Sequence, residues 1–441
     1  MPPKIIVLDD DPTGSQTVHG CLLLTRWDVP TLKQGLADSS PLLFVLTNTR
    51  GMDANDAAQV TRTVCHNLQS AMQGFNRPAL FVSRSDSTLR GHYPIETDVI
   101  AEQLGPFDAH FLVPAFFEGG RTTIDSIHYL KVDGKPVPVH ETEFARDSVF
   151  GYSHSYLPDY VAEKTAGRIK ADAVQRFTLS DIRAGTLDRL MLLQDNACCV
   201  VDAEQQADLD RFADDLAQAA SQGKRFLFRS AASLLTALAK LPPQAVKAEA
   251  MWRYVKDHRP GVVVVGSHVK KTTAQLTILL QQPGIVAVEV EVRRMPEQSA
   301  ALLQEVLLKV AQAHRSGLTP VVYTSRVERQ FPDQATRLAF GEQVSGFLMD
   351  VVRGLPNSIG FIISKGGITS NDMLSKGLAL PSARLVGQIL AGCSVVLTPV
   401  DHAFAQIPVV IFPGNVGDEH ALTQVWQRLT ATEDSQLQQQ L

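Results

Sequence analysis

Four aliphatic residues, Ile5-Ile-Val-Leu8, run directly into three aspartates and a turn, Asp9-Asp10-Asp11-Pro12-Thr13-Gly14. A stretch that is apolar at every position, rather than at alternate ones, belongs to a strand covered on both faces. That pattern calls for a layered α/β architecture. In open α/β sheets ligands gather beyond the carboxyl ends of the strands, so this strand delivers adjacent carboxylates to the place where function sits. Like charges that close need a proton, a metal or a cationic partner. A plainer reading makes the acids caps of a following helix; three in a row before Pro-Thr-Gly favours a functional loop.

The pattern then repeats. Strands are expected at 21–25, 42–46, 79–82, 109–113, 174–179, 198–201 and 226–228, with helices over 53–73, 94–103 and 208–222 and a hairpin turn at 132–135. A second series has strands at 262–265, 286–292, 321–323, 360–363, 394–398 and 409–412, and helices over 272–281, 299–314 and 335–354. Strands alternating with helices at this spacing predict mostly parallel sheets flanked by helices. The 441 residues are too many for one ordinary core. The expected division is a domain over 1–240, a connecting helix over 241–258, a second domain over 259–430 and a flexible tail over 431–441, with the active site in the cleft between the domains.

Composition narrows the function. Net charge is −5 and there is no Lys/Arg-rich block, which argues against nucleic acid as the ligand. Apolar runs such as Gly261-Val-Val-Val-Val-Gly266 are far too short to span a membrane. Met1-Pro-Pro-Lys4 leads straight into the first strand and leaves no room for a signal peptide, so a cytoplasmic location is expected. The cysteines at 21, 65, 198, 199 and 393 form no CxxC pair and read as buried thiols.

Chemistry-bearing residues concentrate at strand exits. Arg84-Ser85-Asp86-Ser87-Thr88-Leu89-Arg90-Gly91 follows one strand, and Arg121 follows the loop after another. Arginine's planar fork matches a carboxylate or phosphate, so Arg84, Asp86, Ser87, Thr88, Arg90 and Arg121, with Asp10 and Thr13, are candidate contacts for a small polyhydroxylated anion. They could equally pair with Asp9–Asp11 and hold the loops together. The second domain offers the glycine-rich exits Lys365-Gly-Gly-Ile-Thr-Ser370 and Pro413-Gly-Asn-Val-Gly417, plus Gly266-Ser267-His268. Glycine lets backbone N–H groups approach a phosphate closely. Neither a P-loop nor a GxGxxG fingerprint is present, so a nucleotide site here is of another kind. His19, His92, His128 and His154 show no metal-ligand spacing.

Taken together, Asp10-Asp11-Pro-Thr-Gly14, Asp86-Ser-Thr-Leu-Arg-Gly91, Pro114-Ala-Phe through Gly120-Arg121, Gly366-Gly367-Ile-Thr-Ser370 and Pro413-Gly-Asn-Val-Gly417 resemble the four-carbon acid sugar kinases along nearly the whole chain. The resemblance implies an N-terminal substrate domain, a C-terminal nucleotide domain, and ATP with Mg²⁺ as cofactors. It also implies nucleotide contacts at Ser267, Gly366, Gly367, Ile368, Thr369 and Gly414, joined by Gly417 from the same glycine-rich exit, and sugar-acid contacts among Asp10, Asp11, Asp86 and Arg90. The partners are then a small sugar acid and ATP, with neither nucleic acid nor membrane, and a homodimer is the assembly to test. The chain departs from the family's usual Asp-Asp-Leu/Phe-Thr-Gly-Ala in Asp9, Pro12 and Ser15-Gln16, which leaves the substrate open among threonate, erythronate, 3-oxo-tetronate and related acids.

In that reading Asp11 or Asp10 takes the proton of the terminal hydroxyl, with Asp11 preferred, and no metal ligands are assigned. The same stretch also fits Asp-x-Asp-x-Thr, the opening motif of haloacid-dehalogenase-like phosphatases, with Asp9 as nucleophile and Asp11 as acid/base. The paired acids such an enzyme needs later are not matched by Gly417-Asp418-Glu419. A non-catalytic sugar-acid binding protein is the third reading.

Overall fold

Lys4–Asp9 (β1) is buried along its whole length and has a parallel partner on each side, as its unbroken apolar run predicts. In this computed structural model residues 3–326 and 333–432 are described. The chain divides into two units, Met1–Pro242 and Pro243–Leu441.

In the first unit β1 is followed by β2 (Leu22–Leu24), β3 (Leu42–Leu46), β4 (Ala79–Arg84), β5 (Ala109–Val113), β6 (Arg121–Ile124), β7 (Ile127–Val132), β8 (Lys135–Pro138), β9 (Gln175–Phe177), β10 (Ala197–Val201) and β11 (Phe226–Ser230). The main sheet runs β2-β3-β1-β4-β11-β5-β10-β9, and every pairing is parallel. Strand order reverses between β1 and β4, because the chain goes first to one side and then to the other. Such a reversal opens a crevice for ligand. Ile6 and Leu8 pack with Leu43, Val45 and Phe81 against apolar residues of helices Val29–Ala37, Ala54–Ala71 and Ile95–Leu104. Elsewhere in the unit Phe111 lies within 5.7 Å of Phe177, Phe212, Phe226 and Phe228, centroid to centroid. β6, β7 and β8 form a separate antiparallel sheet. The turn at Asp133 and Gly134 falls where the hairpin was expected, with both residues at positive φ.

The second unit contains β12 (Val262–Val265), β13 (Ile285–Val290), β14 (Thr319–Thr324), β15 (Ile362–Lys365), β16 (Ser382–Leu390), β17 (Cys393–Leu397) and β18 (Pro408–Phe412), in the order β13-β14-β12-β15-β18-β17-β16. The first five in that order are parallel; β17 and β16 join antiparallel. The segment read as a connecting helix takes 3-10 form at Ala248–Tyr254 and Lys256–His258. Asp257 at φ +53° interrupts helical backbone there. Met251 and Val255 nevertheless pack into this unit's core. Helix Ala421–Thr430 ends just before the tail, of which positions 433–441 lie outside the described residues. All five cysteines are buried free thiols. Among the described residues no helix is long and apolar enough to cross a membrane.

Candidate functional site

The end of β1 places the three aspartates in very different surroundings. Asp9 is fully buried, and in the pleat its neighbour across β4 is Arg84. Arg84 Nη1 lies 3.4 Å from Asp9 Oδ1, while Asp9 Oδ2 and Arg84 Nε are shielded and have no hydrogen-bond partner among the described residues. Burial pushes the Asp9 carboxyl up to about 8 against the pull of Arg84, and Asp10 and Asp11 add to the rise. The long contact to Arg84 suits a carboxyl that keeps its proton. Gly14 is required here, because a Cβ on it would sit 2.1 Å from Asp9 Oδ1.

Asp10, also buried, has both oxygens engaged. Arg50 donates to it from Nε at 3.1 Å and from Nη2 on the other oxygen, and Ser85 Oγ donates at 2.7 Å. Asp11 caps the turn Pro12–Ser15, accepting from the Thr13 amide at 2.8 Å and hydroxyl at 2.5 Å. Its side chain is 23% exposed, against 1% for Asp10 and 0% for Asp9. Burial raises the Asp11 carboxyl, but Arg50, 3.4 Å from Oδ2, and the Thr13 hydrogen bonds outweigh it and hold the group below the usual carboxylate range.

Arg50 is the residue that motif reading passed over. It sits in the short 3-10 turn Thr49–Gly51 after β3, and β3 lies directly beside β1. Its neighbour Thr49 donates to Glu96 Oε1 at 2.6 Å, and burial raises that carboxyl above the usual range. A polar loop at a strand exit was visible in the sequence; that its strand adjoins β1 was not.

The loop after β4 is held by its own carbonyls. His128 Nε2 lies 2.8 Å from Ser87 O, Tyr152 Oη donates to Thr88 O at 2.7 Å and Tyr160 Oη to Leu89 O at 2.8 Å. Arg90 O accepts from Arg229 Nη2 at 2.9 Å and lies 3.1 Å from Ser85 Oγ, whose single hydrogen goes to the nearer Asp10. Burial pulls His128 down to about 4, so it is neutral, donating to Ser87 O from Nε2 and accepting the Thr123 hydroxyl at Nδ1. The clamped loop presents Asp86, which Thr88 Oγ1 and Arg90 Nε bond. Burial raises the Asp86 carboxyl, but Arg50 and Arg90 prevail and keep it well below its ordinary value. Arg90 also stacks over Phe144 at 5.0 Å and approaches Asp147 at 3.6 Å. Arg121 lies over Phe116 and donates to Gly119 O, and its Nε has no hydrogen-bond partner among the described residues. Asp10, Asp11, Thr13, Arg84, Asp86, Ser87, Thr88 and Arg90 thus gather on the exits of β1 and β4, whereas Arg121 stands on β6 of the small sheet.

In the second unit the exits of β12, β15 and β18 are neighbours, with Val265 opposite Lys365 and Lys365 opposite Phe412. A Cβ on Gly266 would lie 2.2 Å from Thr369 Oγ1, one on Gly366 3.1 Å from both Ser267 Cβ and Thr369 Oγ1, and one on Gly414 2.9 Å from Ser267 Oγ. Ser267, Gly366, Thr369 and Gly414 therefore form one close-packed cradle, which a side chain on Gly266, Gly366 or Gly414 would crowd. Gly367 opens the short helix Gly367–Asp372, and Ile368 is 77% exposed beside it. Gly417 lies elsewhere: its Cβ would meet Ala421 at 2.3 Å, so it turns the chain into the last helix. Thr272 Oγ1 donates to Gly414 O at 2.9 Å, and Lys365 Nζ, fully buried, donates to Pro413 O at 2.6 Å. Among the described residues no group of three or more His, Cys, Asp or Glu could hold a metal ion.

Residues 5–238 match the model of a sugar-binding N-terminal domain and residues 262–422 that of a nucleotide-binding C-terminal domain. A D-erythronate kinase from Heliobacterium modesticaldum is 30% identical over 165 residues, 37% of this chain and 36% of that protein. A D-threonate kinase from Bordetella bronchiseptica is 29% identical over 223 residues, 48% of this chain and 49% of that protein. The matched stretch therefore spans half or less of the length of either relative. Solved structures share the fold: a Salmonella typhimurium LT2 protein, 18% identical with a TM-score of 0.69 over 96% of this chain and 98% of its own, and a Haemophilus influenzae protein, 17% identical with a TM-score of 0.62 over 97% and 100%.

Proposed function

The chain belongs to the four-carbon acid sugar kinases, in which a sugar-binding N-terminal domain is joined to a nucleotide-binding C-terminal domain, and on that premise we propose that it transfers the γ-phosphoryl group of ATP to the terminal hydroxyl of a four-carbon sugar acid. In this reading residues 1–240 bind an acid of the threonate, erythronate or 3-oxo-tetronate type and residues 259–430 bind the nucleotide.

The observation that carries the reading is the inequality of the three aspartates. Asp9 is sealed off and Asp10 is fully engaged by Arg50 and Ser85. Asp11 alone is partly open, at the strand-order reversal, and ionised at neutral pH. It accepts the hydroxyl proton as the acceptor oxygen attacks. A loose phosphoryl-transfer transition state does not demand a strong base, because positioning and charge stabilisation do most of the work. Arg90, half-buried above Phe144, and Arg121, whose Nε has no hydrogen-bond partner among the described residues, take the substrate carboxylate. Arg84 faces Asp9 and holds the loop. Mg²⁺, carried by the nucleotide, would neutralise charge on the ATP phosphates, and none of the described residues is assigned to hold it. The phosphatase alternative asks a buried Asp9, protonated at neutral pH, to be the nucleophile, and its surroundings oppose that role.

The test is to incubate the protein with ATP and a panel of four-carbon acids. Acid-dependent ADP release is expected. Phosphate release from phosphoesters without ATP, or no turnover with any acid, would sink the reading in favour of the phosphatase or the binding protein.

A further inference from the structure

A cradle of glycine backbone supplies directed N–H groups but no full charge, and a nucleoside triphosphate carries several negative charges. The cations around the cradle therefore matter. Lys365 is engaged within the protein: its Nζ donates to Pro413 O and sits 3.8 Å from the centre of the Phe412 ring, and burial pulls it down to about 7.

Arg326 is placed differently. It follows the exit of β14, which pairs with β12 so that Tyr323 lies opposite Val265, one residue before Gly266. Its Nη2 donates to Ser267 O at 2.8 Å and to Thr273 Oγ1 at 2.8 Å, tying it to the residue that walls the cradle. Among the described residues its Nε and Nη1, shielded from solvent, have no hydrogen-bond partner, and it forms no ion pair with a carboxylate. A guanidinium with two nitrogens cut off from water and unpaired is costly unless something supplies the acceptors. The helix beginning beside it, Lys270–Leu279, is built the same way. Its cap is Val269 without a side-chain hydrogen bond, and its first turn carries Lys270 and Lys271 and no acid. That start works against the helix dipole and becomes favourable when an anion sits there.

We propose that Arg326 is a phosphate-binding residue of the nucleotide site, reading the phosphate chain rather than the nucleoside. The inference rests on the nucleotide-binding reading of this unit. It adds a cation to a cradle otherwise made of Ser267, Gly366, Thr369 and Gly414.

Isothermal titration of the full chain with ADP and, separately, adenosine tests it, comparing wild type with Arg326→Met and Arg326→Lys at low and high salt. Arg326→Met should bind ADP about tenfold to a hundredfold more weakly, the range for losing a charge-assisted hydrogen bond, with adenosine affinity unchanged and a shallower salt dependence. Arg326→Lys should fall between; losing the hydrogen bonds to Ser267 O and Thr273 Oγ1 lowers the melting temperature of Arg326→Met without ligand, and unchanged adenosine affinity shows that the site itself stays folded. Equal ADP affinity in wild type and Arg326→Met overturns the assignment, as does an equal loss for ADP and adenosine, which would mark a merely structural arginine. If the wild type binds neither ligand, the nucleotide reading of the unit fails and this assignment fails with it.

Discussion

Replacing Arg50 by Met tests whether the aspartate loop is held by charge. Arg50 Nε and Nη2 grip both oxygens of Asp10, which is 1% exposed, and Nη1 lies 3.4 Å from Asp11 Oδ2. Removing one partner of a buried pair typically costs about 3–5 kcal/mol because the other charge is left uncompensated. Arg50 is itself 19% exposed, so water recovers part of that and about 2–4 kcal/mol is expected at pH 7.5. For a unit of this size that is roughly a 5–15 °C fall in its melting transition. The loss must depend on pH. Arg50 holds the Asp11 pKa below its unfolded value, so in wild type this contribution is fully present above about pH 4 and is lost only as pH falls through the folded value. Without Arg50 the Asp11 carboxyl takes up its proton at higher pH, and the penalty shrinks between pH 7.5 and pH 4.5. Urea unfolding at both values, read by hydrogen exchange of β1 and β3 peptides, assigns the change to the first unit. A loss below about 1 kcal/mol at pH 7.5, or one undiminished at pH 4.5, would refute the argument.

Asp11→Asn should lower kcat by about 10²–10⁴, the usual worth of a positioned base, with ATP affinity intact; turnover near wild type in a substrate-dependent ADP assay removes the role. Asp9→Asn should be nearly silent in kcat at pH 7, since the native carboxyl is already protonated. Because the folded pKa of Asp9 is raised to about 8, its stabilising contribution is complete below about pH 4 and lost as pH rises through 8. The Asn variant should accordingly melt above wild type at pH 9; a variant that is inactive, or less stable at pH 9, contradicts this. Lys365 has its folded value lowered to about 7, so its own contribution to the stability of the second unit should rise from pH 7 towards the unfolded lysine value near 10.4, opposite in sign to that of Asp9 in the first unit. Lys365→Met should abolish that rise; melting curves from pH 7 to 9 with the same slope in both proteins count against it.

Continuous apolar runs marked β1, β3, β5, β12 and β18 within a residue or two, because a strand buried on both faces is apolar whatever its partners. Helix Val29–Ala37 was overlooked although its signals were present: Asp28 caps it and Pro30 stands in its first turn. β16 escaped because an antiparallel strand with alternating burial has no unbroken run. The strand exits that carry the acids, the arginines and the glycines were legible for the same local reason as the strands.

The sequence by itself determined, then, that Asp9, Asp10 and Asp11 would stand together at the end of a buried strand, since hydrophobic run and turn are properties of neighbouring residues. Only the tertiary structure decided what each aspartate is. Strand order put Arg50 against Asp10 across 40 positions and Arg84 against Asp9 across 75, and depth of burial kept Asp9 protonated while leaving Asp11 open. Ion partners and solvent access depend on which strands become neighbours, and local periodicity carries no information about that.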